Sequence, residues 1–269
     1  MSQALIQVER DGDVAVVTFN DPDRLNAMTE PMGRAFSERT RQLADDASLR
    51  AVVLTGAGRA FSAGGDLDWI EARADAEHAD PGGDRAAVRD RMRGFYELFL
   101  SVRELPCPSI AALNGHAIGA GLCVALACDM RLASRQAKLG FNFSLLGLHP
   151  GMGATWMLPR LVGPAHAAEL LYSGRSLDAE EAARIGLVNR ALEPGAVLPA
   201  ARELAASIAR AAPLANRGIK RALARSAGAT LPEQLDFEAS EQAICFESED
   251  VREGLAAVRQ RRSPRFSGR

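Results

Sequence analysis

Two glycine-rich segments are the first candidates for chemistry: Ala60-Phe61-Ser62-Ala63-Gly64-Gly65-Asp66-Leu67 and Asn114-Gly115-His116-Ala117-Ile118-Gly119-Ala120-Gly121. Each follows a run that reads as a buried strand, and the second leads into an apolar helix. The start of a helix presents N–H groups without internal acceptors, together with the positive end of the helix dipole. Small residues there let the backbone close on a ligand. Groups of this kind hold a negatively charged atom. Taken singly, each segment reads equally well as a tight turn, and the first resembles a phosphate loop. Neither the GxxxxGK[ST] nor the GxGxxG spacing is present, so a nucleotide is not indicated.

The elements that must position these segments follow from local pattern. Ile6 to Val8 and Val14 to Phe19 read as strands joined at Asp11-Gly12. Thr29 to Leu43 reads as an amphipathic helix capped by Thr29. Ala51 to Thr55 and Ser109 to Leu113 are short apolar runs of the buried-strand kind. Glu71 to Asp90 is polar and rich in Ala, Asp and Gly, and reads as a mobile excursion. Met92 to Leu105 reads as a helix, then Gly121 to Cys128. Short strands are expected at Arg131 to Ala133 and Lys138 to Phe141. Helices are expected at Ala154 to Val162, Ala165 to Tyr172 and Ala179 to Ile185. Beyond Pro199 the composition shifts to helix formers, with breaks at Pro213 and Pro232 that predict three helices. This gives a mixed α/β core over residues 1–200, built from stacked ββα turns, and a helical region over 201–269.

Composition narrows the function. A chain of 269 residues suits one large domain with an appendage. Its net charge of −2 gives no reason to expect nucleic acid or a membrane as partner. Cys107, Cys123, Cys128 and Cys245 form no CxxC pair, so no metal site is implied. A reduced, cytoplasmic setting fits this cysteine usage. The N-terminus lacks the pattern of a secretory leader. Ile110 to Met130 is the most apolar stretch, but Asn114, His116 and Asp129 interrupt it. It reads as core and not as a membrane span.

Taken together the motifs closely resemble the crotonase (enoyl-CoA hydratase/isomerase) family along essentially the whole chain. Ile110 to Met130 matches its signature: an apolar strand, Asn-Gly, three spacers, three small residues, an apolar helix and Cys-Asp. Arg24-Leu25-Asn26-Ala27-Met28 is similar to its N-terminal motif. Leu146-Gly147-Leu148-His149-Pro150-Gly151 is similar to its mid-chain loop, and Ala183-Arg184-Ile185-Gly186-Leu187-Val188 to its late helix-turn. The resemblance implies a spiral of ββα turns with a C-terminal helical region that drives trimers or dimers of trimers. The substrate it implies is an acyl-CoA thioester, with coenzyme A entering as part of the substrate and no separate cofactor. It places the two oxyanion-holding N–H groups on Gly65 and Ala120. Such donors stabilise the charge that builds on a thioester oxygen as an enolate forms, each contributing ~3 kcal/mol in the transition state. Ala120 stands where the family often has Gly, which is tolerable if its φ is not positive. Coenzyme A is expected near Arg24, Leu25 and Ala27 and along Ala63, Gly64, Asp66 and Leu67. Ile118, Gly119, Cys123, Phe143, Pro150 and Gly151 are expected around the acyl group. The arginines 259, 261, 262 and 265 either reach CoA phosphates or form a solvated tail.

The sequence departs from the family where hydratases carry two glutamates. Cys123 and Phe143 occupy those positions. Positioned acids and bases typically contribute 10²–10⁴-fold each, so two-glutamate hydration is not expected. His149, in the mid-chain loop, is the candidate replacement, because imidazole exchanges protons near neutral pH. It reads equally as a loop residue bonded to backbone. His116 occupies a spacer position. Cys123 reads as a small core residue. Asp66 reads as a helix cap, Asp68 as solvent-facing, and Glu71 as able to swing in only from the mobile segment. Phe143 reads either as core packing or as a drier wall that favours an apolar or aromatic acyl group. Two functions are therefore carried forward. One is an enolate-stabilising enzyme, with isomerisation or decarboxylation favoured over hydration. The other is a CoA-thioester-binding protein that has lost catalysis.

Overall fold

The computed structural model describes residues 4–80 and 82–269. The chain opens as an antiparallel hairpin of β1 (Ile6–Asp11) and β2 (Val14–Phe19), turned at Gly12 with φ +57°. Next comes α1 (Glu30–Ala44), where the Thr29 hydroxyl accepts the Met32 N–H. Three ββα turns then follow. In the first, β3 (Ala51–Gly56) and β4 (Ala60–Ser62) lead to α2 (Leu67–Ala79) and α3 (Arg85–Leu100). In the second, β5 (Ser109–Leu113) and β6 (His116–Ile118) lead to α4 (Ala120–Ala127). In the third, β7 (Met130–Ser134) and β8 (Lys138–Gly140) lead to α5 (Ala154–Ser173). Gly163, at φ +78°, breaks α5 into the two predicted helices.

The first strand of each turn joins a six-stranded sheet and the second joins a smaller one. β9 (Ser176–Asp178), α6 (Ala179–Arg184) and β10 (Arg190–Leu192) complete the edges. The orders are β1-β2-β3-β5-β7-β10 and β4-β6-β8-β9. In the first two turns the chain thus steps from the large sheet to the small one and returns through helices. In the third it passes through α5, β9 and α6 before rejoining the large sheet at β10, and the whole is the expected spiral.

The apolar runs are continuous because the large sheet is covered on both faces, as parallel strands usually are. Ala15, Val17, Val52, Leu54, Ala111 and Leu113 point into the main core. The alternating residues Val14, Val16, Ala51, Val53, Ile110 and Ala112 point the other way, against Val197, Ala201 and Ala205 of α7 (Val197–Ala209). The expected boundary near residue 200 therefore falls inside a helix that seals the sheet.

Three helices then leave the core: α8 (Pro213–Ser226), α9 (Leu231–Glu247) and α10 (Glu249–Gln260). Counting α7, this is four helices where three were predicted. Pro213 and Pro232 start α8 and α9, where a missing N–H is harmless, and the unforeseen break is the extended Ser248.

A second correction concerns Glu71 to Asp90. This stretch, read as a mobile excursion, is for the most part helical, comprising most of α2 and the start of α3. Asp66 caps α2 by accepting the Trp69 N–H at 2.9 Å. Asp84 caps α3 through the N–H groups of Ala86 and Ala87. Alanine-rich sequence propagates a helix readily once it is capped. No residue of α2 is buried, so polarity alone could not distinguish this helix from a loop.

Candidate active site

The site begins at Asn26, fully buried in the left-handed region at φ +55°. Its Nδ2 donates to the carbonyls of Ala57 and Ala60 at 2.9 Å, and its Oδ1 accepts the Asp21 N–H at 2.9 Å. The Ser62 hydroxyl donates to Asn26 O, and its oxygen accepts the Gly64 N–H. Ala63 N donates to Leu25 O, and Met28 N donates to Gly64 O. The Arg24–Met28 motif is thus a clamp that fixes the first glycine-rich segment.

That segment meets the second in direct backbone contact. Gly64 has φ +92°, and a Cβ there would lie 2.6 Å from Ile118 O and 3.5 Å from Ala120 N. Gly119 takes φ +52°, ψ −120°, an angle pair that glycine tolerates best, and its N–H donates to Gly140 O at 2.8 Å. This turn aims the start of α4 at Gly64 and Gly65. Ala120 is not among the residues with positive φ, so its methyl is compatible with the turn. Among the described residues, neither the Gly65 nor the Ala120 N–H has an acceptor within the chain.

Beside these donors lies a cavity of about 590 Å³. Arg24, Ala27, Ala63, Gly64, Gly65, Asp66 and Leu67 line one side of it, and Gly119, Ala120, Phe143, His149 and Gly151 line another. Four expected residues stand behind its wall. Leu25 and Ile118 contribute backbone carbonyls to the clamp and to the Gly64 contact. Pro150 accepts from His149. Cys123 is fully buried, with Sγ 3.8 Å from Gly151 O, and burial pushes its thiol pKa far up. Its sulfur is a neutral packing group.

Arg24 pairs with Asp66, whose other oxygen caps α2. His149 is exposed at the cavity lip, with Nδ1 2.8 Å from Pro150 O. A carbonyl only accepts, so in the neutral ring Nδ1 carries the hydrogen and Nε2 keeps its lone pair. His116 is elsewhere, accepting the Lys138 N–H. Asp68 is exposed, although it reaches the cavity rim. None of the arginines 259, 261, 262 and 265 lines the cavity, and Arg262 is paired with Glu253.

Sequence reasoning missed the wall supplied by α2 and α3. Trp69, Ile70, Met92, Phe95 and Tyr96 line the cavity. Trp69 stacks on Phe95 with centroids 5.5 Å apart, and Phe95 meets Phe99 edge-on at 5.3 Å. Phe99 continues through Phe36 to Phe19 in the core. The signal was the spacing of Met92, Phe95, Tyr96 and Phe99, one face of a helix. The closure of these aromatics against the mid-chain loop was not visible.

A model of the enoyl-CoA hydratase/isomerase family matches residues 9–269. The chain is 37% identical over 257 residues to a 1,2-epoxyphenylacetyl-CoA isomerase of Escherichia coli (strain K12), covering 95% of each. It is 34% identical over 258 residues to a short-chain-enoyl-CoA hydratase of Clostridium acetobutylicum, covering 95% of this chain and 94% of that protein. The structure of an enoyl-CoA hydratase from Bacillus anthracis is similar with a TM-score of 0.90 at 32% identity, over 98% of this chain and 100% of that one.

Proposed function

Because this chain belongs to the enoyl-CoA hydratase/isomerase family, we propose that it is an enzyme that converts an acyl-CoA thioester through an enolate held on the N–H groups of Gly65 and Ala120. The observation that carries this reading is the pair of backbone donors without internal acceptors beside a cavity of about 590 Å³. Preorganised donors of this kind stabilise charge that develops during reaction, at little cost in reorganisation. The clamp around Asn26 and the turn at Gly119 keep them rigid.

The acyl group is apolar and bulky, because Trp69, Phe95, Phe143 and Met152 supply the walls. The bulky, ring-bearing thioester in the name of the E. coli relative supports this choice. Coenzyme A runs past Arg24, Ala27 and Ala63–Leu67. With Cys123 sealed and Phe143 in place of carboxylates, double-bond isomerisation or another enolate reaction is favoured over two-glutamate hydration. His149 is the base, acting through Nε2. The exposed apolar side chains Leu223, Phe246 and Val258 of the C-terminal helices support assembly into a trimer or a dimer of trimers.

The second reading is a binding protein that holds the thioester without turnover, favoured by the same loss of both carboxylates. A panel of crotonyl-, 3-enoyl-, aromatic enoyl- and malonyl-type CoA thioesters, followed by absorbance and product mass, separates the two. Turnover that falls sharply in His149→Ala supports the enzyme. Tight binding with no turnover on any member supports the binding protein.

A further inference from the structure

An isomerisation needs a proton returned at a different carbon from the one that lost it, and a single base at the cavity lip serves one end of that path. The other protic side chains around the cavity are mostly engaged: Arg24 with Asp66, and Arg73 with Glu77 at 3.5 Å. Asp68 faces solvent. Tyr96 differs from all of these. It projects from α3 into the cavity and is partly buried. A Cβ added to Gly151 would lie 2.6 Å from its Oη, so the phenol is seated directly on the mid-chain loop. The carbonyl of that same Gly151 faces Cys123 Sγ. Tyr96 Oη therefore sits beside the helix position where two-glutamate hydratases carry a carboxylate. Among the described residues no hydrogen bond to this hydroxyl is found, and its oxygen is not one of the sealed polar atoms, so it is open to a partner in the cavity. Burial, and secondarily the neighbouring Cys123, raise its pKa above the usual phenol value, so it remains protonated in the neutral range.

We propose that Tyr96 is the proton donor of this site, delivering its phenolic hydrogen to the far carbon of the dienolate. The inference rests on the enolate reading above. His149 Nε2 takes a proton from Cα, and the C–H electrons pass into the thioester oxygen held by Gly65 and Ala120. As the dienolate collapses, the Tyr96 O–H bond breaks and its hydrogen bonds to Cγ, shifting the double bond. The imidazolium proton returns to the phenolate through water, and both groups are reset. Glycine at 151 is part of the device, because any side chain there would push the phenol aside.

The test uses a 3-enoyl-CoA in D₂O with the full-length protein and Tyr96→Phe. Two readouts are followed: isomerisation with deuterium placed at Cγ, and exchange of the Cα hydrogens. The proposal expects Tyr96→Phe to lose isomerisation by about 100-fold or more while Cα exchange stays within about threefold, since His149 can return its own proton. Gly151→Ala should show the same split with the phenol still present. Isomerisation retained in Tyr96→Phe overturns the assignment and leaves the enolate reading intact. Loss of both readouts in Tyr96→Phe also overturns it, making Tyr96 a positioning residue. Absence of both readouts in the unaltered protein removes the enolate reading, and this inference with it.

Discussion

Gly64 and Ile118 are in backbone contact: a Cβ on the former would stand 2.6 Å from the carbonyl oxygen of the latter. Through this contact two segments remote in sequence set the spacing of the Gly65 and Ala120 N–H groups. Gly64→Ala should fold yet lose roughly 100-fold or more in turnover, the scale of one misplaced oxyanion donor. The variant also strains a φ of +92°. Steady-state kinetics on the best panel substrate checks this, and a change below threefold would mean that the spacing is not critical.

Asn26 holds three backbone partners from a fully buried left-handed position. Asn26→Ala strands the Ala57 carbonyl and the Asp21 N–H and leaves Ala60 O with only the 3.5 Å bond from Asn114 Nδ2, at ~1–3 kcal/mol for each group left unsatisfied. A loss of about 2–4 kcal/mol in guanidinium unfolding is expected. Thr29→Ala, which removes a single cap, should lose only about 1 kcal/mol.

The two positions at which the proposed reading puts the hydratase glutamates are not equally open to substitution. Phe143 is half-buried at the cavity wall, whereas Cys123 is sealed beneath Gly151. Phe143→Glu should remain soluble and acquire slow hydration of crotonyl-CoA. Cys123→Glu forces a carboxylate into packed space, with a penalty of several kcal/mol, and should yield little folded protein. Equal yield and melting temperature for the two variants would contradict this.

Burial raises the thiol pKa of Cys107 to about 11 and of Cys128 to about 12, and that of Cys123 is raised further. In the unfolded chain these thiols ionise from about pH 8.5. The folded state therefore holds more protons above that pH, and its stability falls as pH rises, by up to ~1.4 kcal/mol per pH unit per thiol. Below pH 8 the contribution is fully present. Unfolding midpoints between pH 7 and 10 should drop, and a Cys107→Ala variant should show a shallower drop.

Arg24 is tied to Asp66, which also caps α2. Asp66→Asn keeps an acceptor for the Trp69 N–H but removes the charge that holds the guanidinium, leaving Asp21 at 4.0 Å as its remaining carboxylate partner. If Arg24 meets CoA phosphates, Asp66→Asn should tighten CoA binding by roughly 3–10-fold at low salt, and the gain should shrink as salt screens it. Calorimetry at two ionic strengths reads both effects.

The sequence by itself determined the strands β1, β2, β3, β5, β7 and β8, the caps at Thr29 and Asp66, the stacking of ββα turns and the two glycine-rich segments that meet at Gly64 and Ile118. Those signals are local: a cap, a turn glycine or an apolar run acts within a few residues. It misread the polar stretch of α2, because a helix that covers a cavity without burying any residue carries no strong apolar stripe. It also could not say which face of each buried strand meets α7, since both faces are apolar. Only the tertiary structure decided that Tyr96 rests on Gly151, that Cys123 is sealed away from the cavity, and that Arg24 is already paired. Those contacts join residues distant along the chain. Their partners are selected by how the sheets and helices pack, and no local pattern encodes that choice.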